Sequence, residues 1–242
     1  MSLATSDETL AVLQHGEINV KGKFLWGSNF TFLVEVEHEG KVLQAVYKPS
    51  RGERPLWDFP TDSLAHREAA AYLVSEALGL GMVPETVYRR RGPVGAGSLQ
   101  RFIEHDPEYH YFNLTKVDLQ RLRPVALFDL VVNNADRKGG HVLVDADRHI
   151  WLIDHGLCFH VEDKLRTVIW DFSGESIPAD LLCTIRDMHQ QLEPDKDLFT
   201  SLRRHLTSAE IRAMAARITY LLSNGAFPNP HPNRRPYPWP LL

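Results

Sequence analysis

Two polar clusters concentrate the residues able to do chemistry. The first, Asn133-Asn134-Ala135-Asp136-Arg137-Lys138-Gly139-Gly140-His141, interrupts an apolar run, and the second, Ile153-Asp154-His155-Gly156, ends the next one. Between them, Val142-Leu143-Val144 and Ile150-Trp151-Leu152-Ile153 flank a polar turn at Asp145-Ala146-Asp147, which reads as a short hairpin. A chain that folds back on itself there brings Asp136, His141 and Asp154 to one mouth. A carboxylate base beside metal-ligating side chains is the equipment of phosphoryl transfer, where positioning and charge neutralisation do most of the work. The alternative for the first cluster is a polar helix end, with asparagines capping and glycines turning.

The elements that must hold these clusters follow from hydrophobic periodicity. Leu119, Leu122, Ala126, Leu127, Leu130 and Val131 form a buried helical stripe behind the capping pattern Thr115-Lys116-Val117-Asp118, with Pro124 bending or splitting the helix. Further helices are expected at 178–192, 195–206 and 208–223; Thr207 with Glu210 makes a capping box at the last, and Gly225 stops it. The first third alternates as sheet does. Residues 30–37 and 42–48 flank a turn at His38-Glu39-Gly40 as an antiparallel hairpin, and 83–89 and 97–103 read as two more strands around a glycine loop. A helix carrying Leu64, Ala65, Glu68, Ala69, Tyr72, Leu73 and Leu78 separates the two pairs, capped by Asp62 or Ser63 and ended by Gly79 and Gly81. Six of the fifteen prolines fall in 226–242, which reads as extended chain laid on the surface.

Composition narrows the class. The 242 residues carry 27 Lys+Arg against 31 Asp+Glu, a net charge of -4, without the basic excess of a general nucleic-acid binder. The run Arg89-Arg90-Arg91 reads as a solvated strand end. Two cysteines, Cys158 and Cys183, build no disulfide framework. The first twenty residues lack a basic segment leading into an apolar run, and no stretch approaches the ~18 apolar residues of a membrane span. A cytoplasmic protein without an integral membrane segment is expected, either one large domain or two lobes sharing a cleft.

Asp136, with a ligand-type residue five places on, matches the catalytic-loop spacing of protein-kinase-like enzymes, in which a metal-binding Asn stands at that place. Asp154-His155-Gly156 resembles their Asp-x-Gly metal motif. Asp136-Arg137 with Ile153-Asp154-His155-Gly156-Leu157-Cys158-Phe159 is closer to the phosphatidylinositol 3-/4-kinase superfamily, type II 4-kinases especially, with HipA-like serine kinases as cousins. As a whole the chain resembles a small bacterial family of uncharacterised actinobacterial and chloroflexal kinase-like proteins, over residues 20–175.

The resemblance implies an α+β, two-lobed protein-kinase-like fold. A small antiparallel sheet with one helix would occupy 1–104, a helical lobe with the catalytic and metal loops 105–225, and a Pro-rich tail 226–242. It further implies that ATP binds in the cleft with Mg²⁺ or Mn²⁺. Lys48 is similar to the lysine that holds the α/β-phosphates, and Glu68 to the glutamate that pairs with it. Gly27-Ser28-Asn29 resembles a phosphate-covering loop, where backbone N–H groups of Ser28 and Asn29 would do the cradling. Gln100, Phe102 and Ile103 lie in a segment similar to the strand entering the adenine hinge. Asp154 and His141 would hold metal, while Asp136 orients or deprotonates an acceptor hydroxyl.

One position departs from the family pattern: His141 replaces Asn. An imidazole nitrogen suits Mn²⁺ better than Mg²⁺, so the metal preference shifts or catalytic power falls. Arg137-Lys138 and the Gly139-Gly140 pair would keep positive charge and flexibility beside the γ-phosphate. A zinc site at His155, Cys158 and His160 is disfavoured, because alternate residues on a strand point to opposite faces. In the segment 162–170 that follows the metal motif, Lys164 and Arg166 can meet an acidic or phosphate-bearing substrate. With no membrane element in view, a soluble acceptor, a protein serine or a small molecule, is favoured over a lipid. The competing readings are a catalytically weak nucleotide-binding scaffold, a lipid kinase, and nucleotidyl transfer from ATP bound in reverse.

Overall fold

The alternating first third folds as five antiparallel strands. They are β1 (Glu17–Lys23), β2 (Phe32–His38), β3 (Lys41–Pro49), β4 (Thr86–Arg89) and β5 (Gly97–Arg101), ordered β1-β2-β3-β5-β4 across the sheet. The computed structural model describes residues 5–23 and 30–242. Ser28 and Asn29, expected in the phosphate-covering loop, lie outside the described residues. His38 pairs with Lys41 around Glu39 and Gly40, both at positive φ, the two-residue turn that matches the twist of the flanking strands. β4 and β5 are shorter than the strands the sequence suggests, although Phe102 extends the pairing by donating to the Gln44 carbonyl.

Alternation along β3 decides what each face does. Val34, Val36, Ala45, Tyr47, Val87 and Leu99 turn to one side, where Val12 and Leu13 of α1 (Ser6–His15) cover them. Lys48, next to Tyr47 and paired with Ser98, therefore faces the other side, toward α2 (Leu64–Ala77). The lobe thus contains a second helix beyond the one expected. α1 is capped by Thr5, whose hydroxyl accepts from the Glu8 amide while the Glu8 carboxylate accepts from the Thr5 amide.

The cap of α2 also differs from expectation. Ser63 occupies the N-cap position but spends its hydroxyl on the Pro60 carbonyl, and the first free amides of the helix, Leu64 and Ala65, donate instead to the Glu53 carboxylate.

Pro124 splits the expected long helix into α3 (Lys116–Gln120) and α4 (Arg123–Val132), where it sits in the first turn and needs no partner for its missing N–H. The hairpin strands β6 (Val142–Val144) and β7 (Ile150–Leu152) follow. α5 (Ala179–Gln190), α6 (Asp197–Leu202) and α7 (Ser208–Asn224) complete the lobe, α6 being half the expected length. Leu122, Phe128, Val131, Ile185, Met188, Met214 and Ile218 fill its core, each fully buried apolar side chain contributing ~1.5–3 kcal/mol. Among the described residues no helix is long and apolar enough to cross a membrane.

The proline-rich segment is not simply laid on the surface. Phe227 and Pro238 are buried, the Pro236 carbonyl accepts from the Thr167 amide and the Trp170 indole, and the Leu241 carbonyl accepts from the Gly139 amide. Arg89, expected at a solvated strand end, is half-buried and donates to the Gly16 carbonyl behind α1.

The lobes are tied by named contacts. Arg67 on α2 donates to the Cys158 carbonyl at 2.5 Å and pairs with Glu210 in the first turn of α7. Leu152 of β7 donates to the Met82 carbonyl at 2.8 Å, and the Arg101 guanidinium stacks 4.6 Å over the Trp151 ring. His66 of α2 sandwiches between Tyr88 and His205, its Nδ1 3.2 Å from that of His205. One of those nitrogens must accept, so the pair cannot be doubly protonated without breaking. Burial holds both histidines below the ordinary value of 6.5, His205 down to about 4. The unfolded chain therefore takes up protons first as pH falls, and the contribution present above pH 6.5 is lost toward pH 4. Scanning calorimetry is expected to show the melting temperature falling across that window, with a flatter fall in His205→Leu.

Candidate active site

Asp129 is a carboxylate inside the apolar stripe of α4, and its partner is Arg137, whose side chain is 0% exposed. The guanidinium uses every donor it has. Nε donates to both Asp129 oxygens at 3.1 Å, Nη2 to Asp129 at 3.0 Å and to His155 Nε2 at 2.9 Å, and Nη1 to the His141 and Ile153 carbonyls at 3.2 and 3.1 Å. Arginine can only donate, so His155 accepts at Nε2 and carries its proton on Nδ1, 3.9 Å from Glu68. Burial keeps His155 neutral, well below its ordinary pKa. Arg137 is therefore not a phosphate-side charge, as expected from sequence; it lies beneath the loops and fixes both.

Asn133 and Asn134 extend that scaffold. Asn133, left-handed at the end of α4, donates from Nδ2 to the His160 and Glu162 carbonyls and accepts from the Lys164 amide. Asn134 accepts from the Asp136 amide at 2.9 Å, which sets the turn that carries Asp136. Gly139 serves close packing rather than flexibility, since an added Cβ would meet the Phe112 ring at 2.7 Å.

Above this frame, Lys48 Nζ lies 2.6 Å from Glu68 and 2.9 Å from Asp154. Glu68 also accepts from the His155 amide at 2.9 Å, so one carboxylate joins strand, helix and the turn at Asp154. Burial opposes the Lys48 charge, but Asp154 and Glu68 outweigh it and raise its pKa. The Lys48 ammonium in turn holds Asp154 well below the usual carboxylate range. Asp154 sits at φ 61, a left-handed backbone that a non-glycine residue keeps only where its surroundings enforce it. His141 Nε2 faces Asp154 at 3.3 Å while its Nδ1 accepts from the Lys138 amide at 3.5 Å. Burial lowers the His141 pKa to about 4, so at neutral pH its ring is uncharged. With Nδ1 accepting, the proton sits on Nε2 toward Asp154, and ligation there would need that proton to move to Nδ1 and the Lys138 contact to be given up.

Asp136 pairs with Lys138 at 3.2 Å, and burial raises its pKa. Lys48, Glu68, Asp136, Lys138 and Asp154 line one cavity of about 290 Å³. His141 borders Asp154 without lining it. Gln100, Phe102 and Ile103 do not line it either: the Gln100 amide donates to Thr86 at 2.8 Å, Phe102 donates to Gln44, and the Ile103 carbonyl meets His105. Phe30, Glu53, Leu64 and Ser98 also line the cavity, none of them expected there from sequence; Ser98 is the cross-strand partner of Lys48.

Among the described residues no three His, Cys, Asp or Glu side chains form a metal cage. Mg²⁺ commonly takes only one or two protein ligands and completes its shell with water and substrate phosphates. The half-exposed Asp154 carboxylate fits that kind of site, while an imidazole beside it favours Mn²⁺ over Mg²⁺. His155 and His160 turn elsewhere, His155 to Arg137 and His160 to the Phe59 ring.

Comparison with known proteins places these features in context. The family model for phosphatidylinositol 3- and 4-kinase matches residues 61–225. Protein Rv2133c of Mycobacterium tuberculosis is 38% identical over 277 aligned positions, covering 100% of this chain and 98% of that protein. Phosphatidylinositol 4-kinase gamma 4 of rice (Oryza sativa subsp. japonica) is 30% identical over 124 residues, 44% of this chain and 22% of that protein. The crystal structure of the Helicobacter pylori proinflammatory kinase CtkA superposes with a TM-score of 0.53 at 11% identity, over 89% of this chain and 94% of that one, and shows the two-lobed kinase-like fold.

Removing one partner of a buried ion pair strands the other. Arg137→Met is expected to lower unfolding free energy by about 3–5 kcal/mol in urea titrations, whereas Lys138→Met, at the half-buried rim, should cost far less.

Proposed function

Because the chain belongs to the phosphatidylinositol 3- and 4-kinase family, we propose that it transfers the γ-phosphate of ATP to a hydroxyl of a soluble acceptor, a protein serine or a small molecule rather than a lipid. The observation that carries this reading is that Lys48 is held between Glu68 and Asp154, at 2.6 and 2.9 Å, in the cavity that Asp136 also lines.

Each side chain has a task set by its chemistry. The Lys48 ammonium binds phosphate oxygens, and Glu68 positions it. The Asp136 carboxylate accepts the proton of the acceptor hydroxyl as that oxygen bonds to the γ-phosphorus and the bond to the β-phosphate bridging oxygen breaks, releasing ADP. Burial, which raises the Asp136 pKa, makes the carboxylate a better base than an exposed aspartate. Lys138 keeps positive charge beside Asp136. A divalent cation held by Asp154 and His141 would neutralise phosphate charge during transfer. Lys164 and Arg166, expected from sequence to meet an acidic acceptor, do not line this cleft.

The test is ADP release from ATP with Mg²⁺ or Mn²⁺, together with intact-mass spectrometry of the products to distinguish a phosphoryl from an adenylyl increment. Asp136→Asn is expected to slow turnover roughly 10²–10⁴-fold, and wild-type turnover in that variant would contradict the assignment. His141→Asn is expected to move the metal preference from Mn²⁺ toward Mg²⁺ in the same assay, because a hard amide oxygen replaces an imidazole nitrogen.

A further inference from the structure

A second cavity, of about 800 Å³, lies in the helical lobe between residues 162–166, α7 and the proline-rich segment 228–236. It shares no lining residue with the cleft that holds Lys48 and Asp136. Its size suits a small molecule. Its lining is cationic: Lys164, Arg166, Arg217, Arg234 and Arg235 face two carboxylates, Glu162 and Asp163.

The carboxylates are already taken. Arg234 pairs with Asp163 at 2.7 Å, and Lys164 pairs with Glu162 at 3.6 Å and with Asp58 at 3.3 Å. Among the described residues Arg166, Arg217 and Arg235 make no ion pair with a carboxylate. Arg166 donates from Nε to the Ala135 carbonyl, and Arg235 lies 5.9 Å over the Trp239 ring, so each keeps donors to spare.

Arg217 is the decisive residue. It donates from Nε to the Val131 carbonyl and from Nη1 to the His160 carbonyl, but its Nη2 is buried with no hydrogen-bond partner. An orphaned, charged donor is costly, and an anion in the cavity would satisfy it.

We propose that this cavity binds a soluble small molecule carrying at least two phosphate groups, gripped by Arg166, Arg217 and Arg235. The site is a recess walled by 162–166, α7 and 228–236 rather than a flat cationic face, which favours a free ligand over the headgroups of a membrane surface. Arg235 comes from the proline-rich segment and Arg217 from α7, so the ligand also pins that segment to the lobe. The site stands independently of phosphotransfer in the cleft.

The test is titration calorimetry of the full chain with pyrophosphate, without nucleotide or divalent metal, in a Lys48→Met background that removes the cleft cation. Saturable binding of one equivalent is expected. Adding Arg217→Gln should weaken it at least about tenfold. Arg235→Gln, at an exposed position that does not support the core, should weaken it by about threefold or more, and Trp170 fluorescence should respond to pyrophosphate in step with the heat. Absence of binding in the Lys48→Met protein, or affinity unchanged by both arginine substitutions, would overturn the site. Binding to phosphatidylcholine vesicles containing phosphatidic acid, with no response to free pyrophosphate, would overturn the small-molecule assignment.

Discussion

The buried ion pair between Arg137 and Asp129 is the constraint on which the rest of the site depends. An arginine side chain cannot shed its proton, so each donor left unmet on burial is costly. Here the partners come from α4, from the carbonyls of His141 and Ile153, and from the His155 ring. One side chain therefore sets the distance between the loop bearing Asp136 and the turn bearing Asp154. The same Asp129 accepts from Asn134 and Thr167, which binds the base of the catalytic loop and the later segment 166–168 into one polar network. Such networks are costly when partly satisfied, and this one ties together the loops at the open end of the β6–β7 hairpin.

The groups above the network are arranged as alternating charges. Lys48 lies between Glu68 and Asp154, and neutral His141 completes the row beside Asp154. Glu68 reaches the row from α2, whose position is fixed by Arg67 gripping the Cys158 carbonyl and Glu210. Movement of the helical lobe against the sheet would thus pull Glu68 from Lys48. The cleft is coupled to the packing of the lobes, and the His66–His205 contact makes that packing sensitive to acid.

Much of this was legible in the sequence, for reasons that can be named. The family resemblance singled out Lys48 near the end of its strand, helical spacing put Glu68 on α2, and the hairpin between the polar clusters brought His141 to Asp154. Local chemistry also revealed the Thr207–Glu210 box, present in the structure with the Thr207 hydroxyl accepting from the Glu210 amide. Long-range partners were not legible. Arg137 looks like a phosphate-side cation until Asp129 is seen facing it, although an aspartate between Phe128 and Leu130 in an apolar helix was a signal. Glu53 caps α2 across eleven residues with no local pattern to announce it. Thr5 with Glu8 is a local capping signal for α1, which the stronger strand pattern after it overshadows. The proline-rich segment docks by shape and isolated carbonyls, which periodicity cannot show.

The most direct test of the central claim is calorimetric titration of ATP, with Mg²⁺ and with Mn²⁺, into the wild-type protein and Asp154→Ala. Metal-dependent binding that is lost or strongly weakened in the variant is the result expected of a cleft in which Lys48 and Asp154 receive nucleotide phosphates and metal. ATP affinity that is absent, or identical in both proteins with and without metal, would contradict that account and leave the fold as a scaffold.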